Sequence, residues 1–156
     1  MALREISNDL FFTSVKNIIY SGNSVELRIK GTSMYPTLLD GKHKVVLVPY
    51  QKQYLKVGIL ALFVYNKKHI LHRLISINGN CLIFQGDNQP NVREEVKEED
   101  IIAIVEFIIT PTGKVLDCKK QCLFAKNRFW RTMRKYYSIY LTKARSYFIN
   151  TFISRH

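Results

Sequence analysis

The stretch Lys30-Gly31-Thr32-Ser33-Met34-Tyr35-Pro36-Thr37-Leu38-Leu39-Asp40-Gly41 sets the frame for the rest of the chain. Just before it, Val25, Leu27 and Ile29 alternate with Glu26, Arg28 and Lys30, the period-two pattern of a half-buried strand. The strand therefore delivers a serine onto a loop, which Asp40-Gly41 ends in a turn. Gly31 lets the backbone approach a substrate carbonyl closely, because it has no Cβ. Ser33 supplies a hydroxyl, and Met34 a flexible apolar side chain suited to lining a groove. Pro36 fixes φ and stiffens the turn beyond. A serine alone is a poor nucleophile, so the stretch carries chemistry only if a base lies downstream.

Outward from this loop the strand pattern continues. Residues 45–48 read as a buried strand ended by Pro49, and 51–56 as polar loop. Gly58 opens the apolar run 59–65, Asn66-Lys67-Lys68 reads as a hairpin turn, and 70–77 returns as a strand. Asn78-Gly79 is a strong hairpin signal. Residues 81–85 form the next strand, ending in Gly86-Asp87-Asn88. A charged loop over 93–100 precedes a last strand over 101–109, and Pro111-Thr112-Gly113 closes the body. Ahead of the serine stretch, residues 3–20 read as a short amphipathic helix, with Leu3, Ile6, Leu10, Val15, Ile18 and Ile19 roughly on one face. Short strands joined by turns predict a mainly β domain, a coiled sheet or partial barrel.

Length and composition fit one folded domain: 156 residues, 47% hydrophobic, with a mean hydropathy of -0.09. Cys81, Cys118 and Cys122 form no disulfide framework and no paired zinc spacing, so three reduced thiols are expected. The net charge of +12 is unevenly placed. Residues 1–117 hold 14 Lys+Arg and 12 Asp+Glu, whereas 118–156 hold 10 Lys+Arg and no acid. Two units follow: a body, 1–117, and a basic aromatic tail, 118–156, expected to be helical. No run of 18 or more apolar residues predicts a transmembrane helix. The first residues, with Arg4, Glu5 and Asp9, do not read as a signal peptide. The cytoplasm is the expected compartment. Two readings stay open for 118–156: a peripheral contact at a partner or at an anionic membrane, where Trp and Tyr meet headgroups and cations meet phosphates, or helices whose apolar face packs on the body and whose basic face is solvated. No DNA-binding motif accompanies the charge, so no specific nucleic-acid partner is expected.

Three segments carry a family resemblance, over roughly residues 24–110. Gly31-Thr32-Ser33-Met34-Tyr35-Pro36-Thr37-Leu38 with Asp40-Gly41 resembles the nucleophile motif of type I signal peptidases and of the self-cleaving SOS-repressor-type serine peptidases. Leu71-His72-Arg73 resembles the base segment of the histidine-type signal peptidases, where other branches carry a lysine. Gln85-Gly86-Asp87-Asn88 resembles their Gly-Asp-Asn segment. The resemblance implies a mainly β catalytic fold and a serine endopeptidase acting on a peptide or protein, with no metal or cofactor. It assigns Ser33 as nucleophile, His72 as general base and Asp87 as the carboxylate orienting His72. Gly31, Thr32, Met34 and Pro36 would form the substrate and oxyanion side, with the Ser33 backbone N–H as donor. Small side chains would be favoured just before the cut.

The chain also departs from that family. A second acid expected five or six residues after Asp87 is not matched: Val92 and Arg93 stand there, with Glu94 and Glu95 just after. The serine that bacterial signal peptidases place two residues before the nucleophile is Gly31 here, and residues 3–20 stand where membrane-bound members carry an anchor. These departures keep a second reading open, a catalytically inactive peptide-binding or maturation-accessory module. Arg73 reads as a structural ion-pair or backbone-binding arginine, and His43 and His69 as solvated residues in or near turns.

Overall fold

The computed structural model describes residues 8–118. One helix, α1 (Asn8–Tyr20), precedes eight strands: β1 (Val25–Arg28), β2 (Lys44–Pro49), β3 (Leu60–Tyr65), β4 (Lys68–Asn78), β5 (Cys81–Gln85), β6 (Glu94–Lys97), β7 (Ile101–Ile109) and β8 (Val115–Asp117). They form one antiparallel open sheet in the order β1-β2-β7-β3-β4-β5-β6, with β8 added beside β7. The mainly β expectation therefore holds, and most strand positions agree with the alternation in the sequence. The basic segment beyond Cys118, with its expected helices, lies outside the described residues.

The β3–β4 turn consists of Asn66 and Lys67, both at positive φ (49° and 62°), the twist that suits a two-residue hairpin. At the next hairpin the turn residues are Gly79 and Asn80, because Asn78 still pairs with Cys81. Two departures matter for function. The stretch expected as a charged loop over 93–100 contains β6, followed by a short 3-10 turn at Glu98–Asp100. The helix also turns a different face inward: Val15 and Ile19 are buried and Phe12 packs beside them, while Leu10 and Ile18 are exposed. At 3.6 residues per turn, 12, 15 and 19 share one face and 10 and 18 lie on another.

Residues pack on both sides of the sheet. On one side Val15 and Ile19 of α1 meet Leu60 and Leu62 of β3, Val45 and Leu47 of β2, and Met34 and Leu38 of the serine loop. On the other side Phe63, Phe84, Leu74, Leu82 and Val96 pack together. The nearly continuous apolar run of β3 follows from this, since a strand covered on both faces has no polar side. Because successive strand residues point to opposite faces, His72 and Arg73 of β4 are sent to different sides of the sheet.

Candidate functional site

Ser33 lies in the loop between β1 and β2. That loop is tied down at both ends by short backbone contacts. Ile29 N–H donates to His43 O at 2.9 Å, and Gly41 N–H donates to Ile29 O at 2.9 Å. Gly31 N–H donates to the Asp40 carboxylate at 2.8 Å. Gly31 has φ 98°, a conformation that L side chains rarely adopt, so the glycine is required for the loop's path. The Tyr35–Pro36 peptide is cis. Met34 and Leu38 anchor the loop in the core. Met34, expected to line a substrate groove, is only 2% exposed and serves as packing instead. Gly31, Thr32 and Pro36 are exposed, and Ser33 is half-buried.

His72 is buried on the face of the sheet that carries Phe63 of β3, whose ring meets the imidazole edge-on with centroids 6.4 Å apart. Its Nδ1 pairs with Glu94 Oε2 at 3.0 Å, and Glu94 is itself buried. The register explains this. β5 places Phe84 opposite Leu74 of β4, and β6 places Glu94 opposite Phe84. Glu94 thus lies two strands from β4 on the face His72 shares with Leu74, within reach of a long carboxylate side chain. An ionised Glu94 takes the proton-bearing Nδ1 and leaves Nε2 as the acceptor.

Asp87, expected to orient His72, is engaged elsewhere. Arg73 grips its carboxylate through Nε–Oδ1 at 2.9 Å and Nη2–Oδ2 at 2.8 Å, and the Thr37 hydroxyl donates to Oδ2. Arg73 also donates to Gly58 O at 2.9 Å. The expectation of a structural ion-pair or backbone-binding arginine therefore holds on both counts. The physical reason for the exchange of carboxylates is placement. Asp87 follows the end of β5, where the chain has turned toward Arg73, whereas Glu94 sits in a strand facing the imidazole.

The segment 85–90 joins the two halves of the site. Asn88 N–H donates to Ser33 O at 2.8 Å, and its side-chain amide to Thr32 O at 3.3 Å. Gln85 holds the turn closed through Gln89 O at 3.0 Å and Pro90 O at 2.7 Å. A Cβ built on Gly86 would lie 2.8 Å from Ser33 O and 3.0 Å from His72 Nε2. The serine backbone and the imidazole therefore meet at one crowded point that only glycine can occupy. Of the residues singled out in the sequence, the Ser33 backbone carbonyl and the His72 ring are the groups that approach that point. Asp87 and Thr37 brace Arg73 beside them, and Glu94 is the addition.

His43 differs from expectation as well. It is buried, and its Nδ1 accepts the Leu39 N–H at 3.0 Å, closing the base of the serine loop. Burial lowers its pKa from 6.5, so it stays neutral at pH 7. His69 stacks on Phe12 of α1, with ring centroids 4.3 Å apart. Among the described residues, no group of three or more His, Cys, Asp or Glu side chains is placed to hold a metal ion. A large concave surface of about 1400 Å³ lies between the end of α1, Tyr50 and β6, and Ser33, His72 and Glu94 are not among its lining residues.

What the arrangement can do is limited and specific. A hydroxyl, an imidazole and a buried carboxylate are the parts of a general-base device for acyl transfer. No protein-family model matches the chain, and a search of curated proteins returns no match.

Proposed function

We propose that the chain is a serine endopeptidase similar to signal peptidases and SOS-repressor-type peptidases, in the histidine-base form. Ser33 attacks the scissile carbonyl while His72 Nε2 takes its proton and later returns it to the leaving amine. Glu94, rather than Asp87, orients His72 and stabilises the imidazolium. The Ser33 backbone N–H, with the Thr32 hydroxyl beside it, receives the oxyanion. The observation that carries the reading is the buried His72–Glu94 pair, whose ring Nε2 reaches the same point beside Gly86 as the Ser33 backbone. A lone strand histidine has no need of a buried carboxylate, since burying charge is costly unless it is paired.

The substrate in this reading is an extended peptide. β1 is an outer strand of the sheet and runs directly into the serine loop. A peptide added beside it would form backbone hydrogen bonds while presenting its scissile bond to Ser33. On the other side, β5 pairs with β4 only from Arg73 onward, so among the described residues the part of β4 ahead of His72 has no strand neighbour on that flank.

The test is N-terminal proteomics of host cells producing wild type or Ser33→Ala. New peptide N-termini found only with wild type establish the endopeptidase and supply its cleavage rule. Identical profiles, with both proteins folded and the natural partners present, move the assignment to a catalytically inactive peptide-binding module of the same fold.

A further inference from the structure

Within the endopeptidase reading, on which this rests, we infer that the Gln89 carboxamide binds the main chain of the substrate peptide beside Ser33 and His72. The starting point is the crowded spot at Gly86. A Cβ placed there would meet three polar atoms: Gln89 Oε1 at 2.8 Å, Ser33 O at 2.8 Å and His72 Nε2 at 3.0 Å. Two of the three belong to the residues that carry the proposed chemistry. The third is the tip of a long side chain, sent to the same spot from three positions further along the turn.

The main chain that launches this side chain is held firmly. Gln89 N–H donates to Gly86 O at 3.0 Å, and Gln89 O accepts from Gln85 Nε2 at 3.0 Å and from Val92 N–H at 3.2 Å. Asn88 N–H ties the same turn to Ser33 O at 2.8 Å. The Gln89 side chain is half-buried, and among the described residues its carboxamide joins no hydrogen bond. Gln85 is the contrast, because its amide is spent on Gln89 O and Pro90 O. Polar groups withdrawn from water are normally paired, and a group fixed in advance binds a ligand at little ordering cost.

Chemistry selects the occupant. A carboxamide offers an acceptor oxygen and a donor N–H2, the complement of the N–H and C=O that a peptide unit presents. An extended peptide that brings its scissile carbonyl to Ser33 carries further N–H and C=O groups into the site, and these lose water on entry. Gln89 pairs with them without reading a side chain. It therefore raises the rate of cleavage and leaves the cleavage rule to other residues.

The test compares the full chain as wild type, Gln89→Ala and Gln89→Met, each shown to be folded by circular dichroism. Gln89→Met keeps the length of the side chain and removes both hydrogen-bonding groups. One assay is cleavage of a mixed peptide library, read by mass spectrometry with Ser33→Ala as background. The other is the rate at which a fluorophosphonate labels Ser33, since that probe engages the serine and imidazole without a peptide chain. Cleavage is expected to fall at least about fivefold in kcat/KM in both variants, the scale of one or two lost hydrogen bonds. Labelling is expected to fall by a smaller factor, and the residue preferences around the cut to stay those of wild type. A smaller loss of cleavage overturns the inference and leaves the peptidase reading standing. An equal fall in both assays does the same, by making Gln89 a packing residue, and so do altered residue preferences, by making it a side-chain contact. If wild type cuts no library peptide above the Ser33→Ala background, the peptidase reading fails and the role of Gln89 falls with it.

Discussion

Replacing Glu94 by glutamine keeps the shape of the side chain beside His72 and removes its charge. In the proposed reaction the imidazole gains a proton as Ser33 attacks, so a positive charge appears 3.0 Å from Glu94 Oε2. Two unit charges at that distance attract by about 5 kcal/mol at an effective dielectric of about 20. Part of this is already realised as a hydrogen bond before reaction. A neutral amide can also donate to Nδ1 and turn the ring to the unproductive tautomer. The loss of transition-state stabilisation therefore amounts to about 4–5 kcal/mol, or about 10³-fold to 10⁴-fold in kcat/KM, the scale known for uncharging the carboxylate of a catalytic triad. The assay is cleavage of a mixed peptide library read by mass spectrometry, with Ser33→Ala as background. Asp87→Asn, measured at a temperature where it stays folded, is the comparator and keeps activity within about tenfold of wild type, because its partner is Arg73. Retention of more than about a tenth of wild-type activity by Glu94→Gln, or equal losses in the two variants, would refute the assignment of Glu94 to His72.

Asp87→Asn acts on stability instead. It leaves the Arg73 guanidinium, 11% exposed, without its carboxylate, and is expected to cost about 3 kcal/mol by urea titration; a loss under about 1 kcal/mol would contradict the account. Gly86→Ala forces a methyl against Ser33 O and His72 Nε2. If the proposed reaction holds, displacing the Ser33 backbone and the His72 ring by several tenths of an ångström should lower kcat/KM by about 10²-fold with a modest fall in Tm, and full activity would refute this placement. His43 provides the pH test. Its folded pKa lies below 6.5 because it is buried, so the unfolded chain binds its proton first as the pH falls. Its contribution is complete above 6.5 and is lost progressively as pH drops through the folded value. Tm should therefore decline from pH 7 to pH 5, and His43→Gln should flatten that slope; an unchanged slope rules out His43 as its source.

Much of this was legible from residue order. Alternation in 25–30 and the apolar runs after Gly58 locate strands, and the glycine-serine-methionine-proline stretch and His72 mark the candidate site. Glu94 was not legible as a partner. In Glu94-Glu95-Val96-Lys97 the only apolar residue is Val96, so the segment looks like solvated loop. It becomes a strand because Glu94 and Val96 share the inner face, and Glu94 is tolerated there by His72. That is a fact of register between β4, β5 and β6, which no local pattern encodes. Met34 and His43 were misplaced for a related reason. Both lie in a loop, where exposure is the ordinary expectation, but this loop folds back onto the core and buries them.

The contact between Asn88 and Thr32 spans 56 positions of chain. Ser33 and the segment that fixes it are thus far apart in synthesis, and they meet only when most of the sheet has closed. Long-range pairings of this kind form late, after the loop-closure cost has been met. A half-made or half-folded chain therefore holds its hydroxyl and its imidazole as separate, ordinary side chains. If the proposed reaction holds, cleavage of other molecules has to wait until the chain has folded.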